Sequence, residues 1–258
     1  MDQGRVVFEI DGPVARVTFD RPQARNAMTW SMYEQLAEAC ARIDADRSLR
    51  VAVLRGAGGR AFVAGTDIAQ FLDFRSGEDG LRYEEQVGRY LDAVGRLRVP
   101  TLCVIEGWAI GGGLAIAASC DLRIATPGSR FGVPIARTLG NCLSAANLAL
   151  LVSAFGVPRV KKMLLLAENL EADEVLAAGF LAELVAPEAL EPRIAEYCQR
   201  LAGHAPITMR VTRELLRRLL LAGAVEDRDL LAECYGSHDF RAGVQAFVDK
   251  RPAEWTGT

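Results

Sequence analysis

Lysine, histidine and any surplus of positive charge are scarce in this chain. Its 258 residues include 30 Lys or Arg against 33 Asp or Glu, a formal net charge of −3. A nucleic-acid footprint normally needs a basic surplus, so the balance argues against that class of partner. Lysine occurs only at Lys161, Lys162 and Lys250, and histidine only at His204 and His238. The longest uncharged apolar stretch, Trp108 to Cys120, is too short and too rich in glycine to span a bilayer. Met1 to Arg5 carries charge with no apolar run behind it, unlike a secretory leader. Cys40, Cys103, Cys120, Cys142, Cys198 and Cys234 are scattered, without a Cys-x-x-Cys pair or a histidine at ligand spacing. They read as reduced thiols rather than a disulfide framework or zinc site, so the expected compartment is the cytoplasm and no metal is expected.

What is present is ordinary globular composition, 50% apolar and 24% charged. Val6–Ile10 and Val14–Phe19 alternate around Asp11-Gly12-Pro13, which predicts a hairpin. A helix is predicted over Thr29–Ala45, with Ser31 and Glu34 at capping-box spacing. Val51–Leu54, Ala61–Val63, Thr101–Ile105, Leu122–Ala125 and Arg130–Val133 read as short strands, with helices near Ile68 and over Leu81–Leu97. After residue 143 the pattern is almost entirely helical, with caps or breakers at Pro158, Glu171, Pro187, Pro206 and His238. This order predicts a layered α/β core with a helical C-terminal lobe.

Two places share a plan of short strand, glycine turn and helix: Phe62 to Asp67, and Glu106 to Gly113. A helix start leaves backbone N–H groups unpaired and carries the positive end of the helix dipole. Two such starts facing each other offer paired donors to a carbonyl oxygen that gains charge during reaction. The bland reading is that the glycines only permit tight turns and close packing. No Lys-Ser or Lys-Thr follows either cluster, so a phosphate loop is disfavoured. Gly56-Ala57-Gly58 leads into another strand rather than a helix, which disfavours a dinucleotide fingerprint.

Together these segments resemble the crotonase superfamily, the enoyl-CoA hydratase/isomerase proteins, over nearly the whole chain. Asp20-Arg21-Pro22-Gln23-Ala24-Arg25-Asn26-Ala27-Met28 is similar to the family's early CoA-contacting loop. Phe62 to Ile68 and Gly107 to Asp121 are similar to its first and second oxyanion turns. Phe247-Val248-Asp249-Lys250-Arg251 resembles the C-terminal segment that reaches coenzyme A, often from a neighbouring subunit. The resemblance implies an α/β spiral of ββα turns over residues 1–195, a helical trimerisation lobe over 196–258, and a homotrimer or hexamer. It implies that the Thr66 and Gly112 amides are the oxyanion donors. Ala24, Arg25, Ala64 and Ile68, with Gly65 and Asp67 of the same turn, would meet coenzyme A; Phe247 and Lys250 would meet its phosphate or adenine end. Ala69 stands where many members place a phosphate-facing lysine, which leaves more of that task to Arg25 and Lys250.

Hydration of a conjugated thioester needs one group to take a proton from water and another to give one to carbon. Hydratases of this family place glutamates at the positions of Ala115 and Ile135, and neither side chain here exchanges a proton. Gly112 and Gly132-Val133-Pro134 anchor both alignments. Asp67, with Gln70, has capping spacing; Ser144 reads as an N-cap, Cys142 as a small apolar group, and Glu106 as a surface pairing residue. His204 and His238 read as helix-end residues rather than bases. The implied function is a lyase- or isomerase-type enzyme that stabilises a thioester enolate, with coenzyme A entering only as part of the acyl-CoA substrate and no permanent cofactor. The alternatives are decarboxylation of a malonyl-type thioester, hydrolysis through the Asn141–Ser144 loop, and acyl-CoA binding without catalysis.

Overall fold

A short turn between two alternating runs forces them antiparallel. In the computed structural model, which describes residues 3–222 and 227–254, β1 (Arg5–Asp11) and β2 (Val14–Asp20) pair in that sense, with Asp11 opposite Val14. α1 (Trp30–Ala45) buries Met32, Leu36, Ala39 and Ile43 on one face. Its cap is Thr29, whose hydroxyl accepts the Met32 N–H, and not the expected Ser31–Glu34 box. Thr29 has the extended backbone a cap requires, whereas Ser31 is already helical and accepts from Gln35. β3 (Val51–Gly56) and β4 (Ala61–Val63) follow, then a 3-10 turn over Ile68–Asp73 and α2 (Gly77–Gly95). α2 starts four residues before the expected Leu81, because Ser76 and Asp79 form a reciprocal capping box.

β5 (Thr101–Ile105), β6 (Trp108–Ile110), α3 (Gly112–Ser119), β7 (Leu122–Ala125) and β8 (Arg130–Gly132) complete the strand-rich part. The one-turn α4 (Ile135–Thr138) leads to α5 (Ala145–Leu165), which kinks at Gly156, two residues before Pro158. Beyond it come β9 (Leu170–Glu171), α6 (Ala172–Ala177), β10 (Glu183–Leu184) and α7 (Leu190–Gly203). β9 and β10 correct the expectation of helices only. Two-residue strands are too short to show a period, and only their partners define them.

The larger sheet has the order β1-β2-β3-β5-β7-β10 and the smaller β4-β6-β8-β9. β3, β5 and β7 enter the first sheet in parallel, and the strand after each enters the second. The chain therefore winds as a spiral of strand–strand–helix turns. Strands buried on both faces read as unbroken apolar runs, as β3 and β5 do. One face of the larger sheet joins the main core; the other packs Val51, Val53, Leu102 and Val104 under Leu190, Ile194 and Cys198 of α7. The expected division at 195/196 falls inside this helix.

α8 (Pro206–Leu221) exposes Ile207, Val211, Leu215, Leu216 and Leu219. α9 (Arg228–Gly236) and α10 (His238–Val248) instead return to the core, where Leu231, Tyr235, Phe240 and Val244 are buried. The close approach depends on Gly80, where a Cβ would lie 2.0 Å from Tyr235 Cγ. Among the described residues, no helix is long and apolar enough to cross a membrane. No group of three or more His, Cys, Asp or Glu there could hold a metal ion, and the six cysteines are free thiols.

Candidate active site

The early loop holds the first glycine turn in place by backbone pairing. Arg25 and Asn26 adopt left-handed conformations (φ 52° and 59°), which aims the Arg25 carbonyl at the Ala64 N–H, 3.0 Å away. The Met28 N–H donates to Gly65 O at 2.9 Å, and the Asp67 N–H returns to Met28 O at 2.8 Å. Buried Asn26 donates to Ala57 O and Ala61 O and accepts the Arg21 N–H. Arg21 pairs with Asp67 at 2.8 Å, and Asp67 also accepts the Ala69 N–H as a helix cap.

The second turn lies against the first. Gly111 has φ 54°, donates to Gly132 O, and starts α3 at Gly112. A Cβ on Gly113 would sit 2.0 Å from Val63 O. One on Gly112 would sit 2.6 Å from the Tyr33 hydroxyl, 3.1 Å from Thr66 Oγ1 and 3.9 Å from Thr66 N. At Gly113 the backbone oxygen leaves room for glycine alone, whereas at Gly112 the Tyr33 hydroxyl would have to give way. Among the described residues, neither the Thr66 nor the Gly112 amide has a protein acceptor. Beside them, Thr66 Oγ1 lies 2.9 Å from the Tyr33 hydroxyl and 3.2 Å from that of Tyr83. Burial pushes the Tyr33 phenol up to about 12 and that of Tyr83 well above its usual range, so both stay protonated.

Both turns open into a cavity of about 150 Å³. Ala115 and Ile135 line it together with Thr66 and Gly112, as do Ala64, Gly65, Ile68 and Phe247. Ala24, Arg25, Asp67 and Lys250 lie outside it. Arg25 places its guanidinium 5.9 Å from the Trp108 ring, and Lys250 follows α10 in a left-handed conformation (φ 55°). The loop after Ile135 contributes Thr138, Leu139, Asn141 and Leu143. Ser144 caps α5, and Glu106 pairs with Arg55 at 3.0 Å. Neither histidine reaches the cavity.

The same cavity contains a carboxyl group that the motif reading missed. Glu84 of α2 is 5% exposed. Its Oε1 accepts the Tyr235 hydroxyl at 2.7 Å, and its Oε2 accepts the Ser144 N–H at 2.9 Å and the Asn147 side-chain amide at 3.4 Å. Burial raises its pKa above the usual carboxylate range, against the opposing pull of these three donors. The signal in the sequence is that Glu84 interrupts the buried stripe of Leu81, Val87, Leu91 and Val94. A charge on the inner face of a helix carries a cost that needs a reason.

The model of the family described as "Enoyl-CoA hydratase/isomerase" matches residues 9–258. Short-chain-enoyl-CoA hydratase of Clostridium acetobutylicum is 28% identical, and the alignment covers 98% of each chain. The crystal structure of an enoyl-CoA hydratase/carnithine racemase from Magnetospirillum magneticum is 31% identical over 100% of this chain and 97% of that one, with a TM-score of 0.80. A methylmalonyl-CoA decarboxylase in complex with 2-nitronate-propionyl-CoA is 25% identical over 98% of both chains, with a TM-score of 0.90. With its spiral of ββα turns, its facing glycine turns and a match over nearly its whole length, this chain belongs to the enoyl-CoA hydratase/isomerase family.

Proposed function

We propose that this protein binds short acyl-CoA thioesters and decarboxylates a 2-carboxyacyl-CoA of the malonyl type. The observation that carries the reading is one cavity lined both by Thr66 and Gly112, whose amides have no protein acceptor among the described residues, and by the apolar side chains of Ala115 and Ile135. The Thr66 and Gly112 amides would hold the thioester oxygen. When the bond from Cα to the carboxylate breaks, its electron pair becomes an enolate whose charge falls on that oxygen. Donors aimed at developing charge stabilise the transition state more than the ground state, each by about 3 kcal/mol. Decarboxylation needs such a hole but no base to abstract a carbon-bound proton, which is why the apolar pair at 115 and 135 suits it. Two-glutamate hydration lacks its acid and base there.

Apolar walls also favour loss of the carboxylate, because the charge they desolvate leaves the carboxyl carbon as neutral CO2 forms. The space admits about five water volumes, enough for a short acyl group. The likeness to a methylmalonyl-CoA decarboxylase supports this choice of substrate class. For coenzyme A itself we assign Ala24, Arg25, Ala64, Gly65, Asp67 and Ile68 around the first turn, with Phe247 and Lys250 at the C-terminal end. The exposed apolar face of α8 supports a homotrimer or hexamer.

The test is CO2 release from methylmalonyl-CoA by wild type, Gly112→Pro and Gly112→Ala. Proline removes the N–H and alanine keeps it. Release lost in the proline variant alone supports the oxyanion assignment. Binding without turnover by wild type would favour a non-catalytic acyl-CoA binder.

A further inference from the structure

Enolate formation leaves a carbon that must be protonated, and an apolar cavity offers few acids. Among the described residues that line the cavity, Glu84 is the only carboxylic acid. Thr66, Tyr83 and Thr138 supply hydroxyls, which are weaker acids, and Tyr83 is weaker still for being buried. Resting on the reading above, we infer that Glu84 is the catalytic acid that protonates the enolate at Cα, with Tyr235 as its positioning residue.

Three features of the surroundings support the assignment. First, the Glu84 partners are neutral donors: the Tyr235 hydroxyl, the Ser144 N–H and the Asn147 amide. A cation would hold the group ionised; with only neutral donors beside it, burial shifts the balance toward the protonated form against their pull. Second, two of those donors lie at the N-terminus of α5, where the helix dipole favours the carboxylate left after transfer. Third, three separate elements fix the group: α2 carries it, α5 meets one oxygen and α9 the other. The groups facing it are Tyr33 from α1, Tyr83 on its own helix, Cys142 from the loop before α5, and Tyr235 and Cys234 from α9. Asp227, at the head of α9, accepts the neighbouring Ala145 N–H.

The step balances. The Cα–carboxylate bond breaks, CO2 leaves, and its electron pair enters the enolate. Glu84 gives its proton to Cα and becomes a carboxylate, which regains a proton from water after product release. The same group run in reverse exchanges the α-hydrogens of the saturated product, and this separates the Glu84 assignment from the choice of substrate.

Wild type, Glu84→Gln and Tyr235→Phe are therefore each incubated in D2O with methylmalonyl-CoA and, separately, with propionyl-CoA. The readouts are CO2, deuterium at Cα and its stereochemistry, and pH dependence, with CoA affinity as the check on folding. Wild type is expected to exchange propionyl-CoA, and Glu84→Gln to do so at least ~10²-fold more slowly. Glu84→Gln is also expected to lose the single stereochemistry of the deuterated product. Exchange needs Glu84 as the carboxylate base, and Tyr235→Phe removes a donor to that carboxylate, so the acid limb of the exchange profile moves to higher pH. If Glu84→Gln binds CoA yet keeps wild-type exchange and stereochemistry, Glu84 is not the acid. Should Glu84→Gln fail to bind CoA, an unmoved limb in Tyr235→Phe overturns the assignment by itself. Exchange lost in Glu84→Gln, with no CO2 from wild type, upholds Glu84 and rejects decarboxylation. Absence of both activities in wild type rejects both.

Discussion

The two walls of the cavity are built on different principles. The wall of the glycine turns presents backbone: the Thr66 and Gly112 amides, set by strand pairing and by packing so close that a Cβ on Gly113 would lie 2.0 Å from Val63 O. The facing wall presents side chains from helices distant in sequence: Glu84, Asn147 and, behind them, Tyr235. A backbone donor cannot titrate, so the first wall has the same polarity at any pH the fold survives. The second carries a carboxyl group whose charge depends on burial and on its donors. Division of labour follows from this contrast, with polarisation assigned to the rigid wall and proton delivery to the titratable one.

The comparison is most sharply broken at Gly112. Gly112→Pro is expected to lower kcat for CO2 release by about 10²–10³-fold, as loss of one oxyanion donor does. Gly112→Ala retains the N–H but must displace the Tyr33 hydroxyl, 2.6 Å from its Cβ, and should lose less. Equal losses in both variants would mean that crowding, not donation, explains the effect. Thr66→Val keeps the other amide and removes the hydroxyl between Tyr33 and Tyr83. It should cost roughly 1–3 kcal/mol of stability through unpaired buried hydroxyls, read by urea unfolding, with a smaller effect on kcat than Gly112→Pro.

The side-chain wall is sharpened at Gly80. A Cβ there meets the Tyr235 ring at 2.0 Å, so Gly80→Ala should push α9 away from α2 and cost about 1–3 kcal/mol. Urea unfolding checks the loss. The coenzyme contacts assigned to the first turn lie elsewhere, so any drop in CoA affinity should come through Phe247 and Lys250, at the end of α10, which packs Phe240 against Tyr235 of α9. The smallest expected effect is a pH dependence. Burial raises the Glu84 pKa in the folded state above its unfolded value. Between the two values the folded protein binds more protons, so this group's contribution is fully present below the unfolded pKa and is lost as pH rises through the folded one. The stability difference between wild type and Glu84→Gln should therefore shift against wild type as pH rises above the ordinary glutamate range. A constant difference would mean that Glu84 titrates at an ordinary value.

How much of each wall was legible in the sequence follows from its construction. The glycine turns are local, and glycine and proline anchor them, so the strand–turn–helix plan at both places was readable from the sequence. Helix α1 was read correctly in extent, yet its cap was misplaced by two residues because Ser31 and Glu34 have the right spacing inside the helix. Glu84 was missed because its meaning is not local. It depends on α2 starting at Gly77, on a gap at Gly80, and on Tyr235 arriving from 151 positions away. An apolar stripe interrupted by one carboxylate was the available signal, but finding its donors needed the fold. The return of α9 and α10 was equally hidden, since amphipathic helices do not announce which surface they will cover.

The most direct test of the account is to give the purified wild-type protein methylmalonyl-CoA and crotonyl-CoA in parallel. CO2 and saturated thioester would be measured from the first, and loss of the conjugated-thioester absorbance from the second. Release of CO2 with no hydration of crotonyl-CoA is the predicted result. Hydration at the rate of a two-glutamate homologue, with no CO2, would contradict it and show that the cavity supplies water chemistry without carboxylates at 115 and 135.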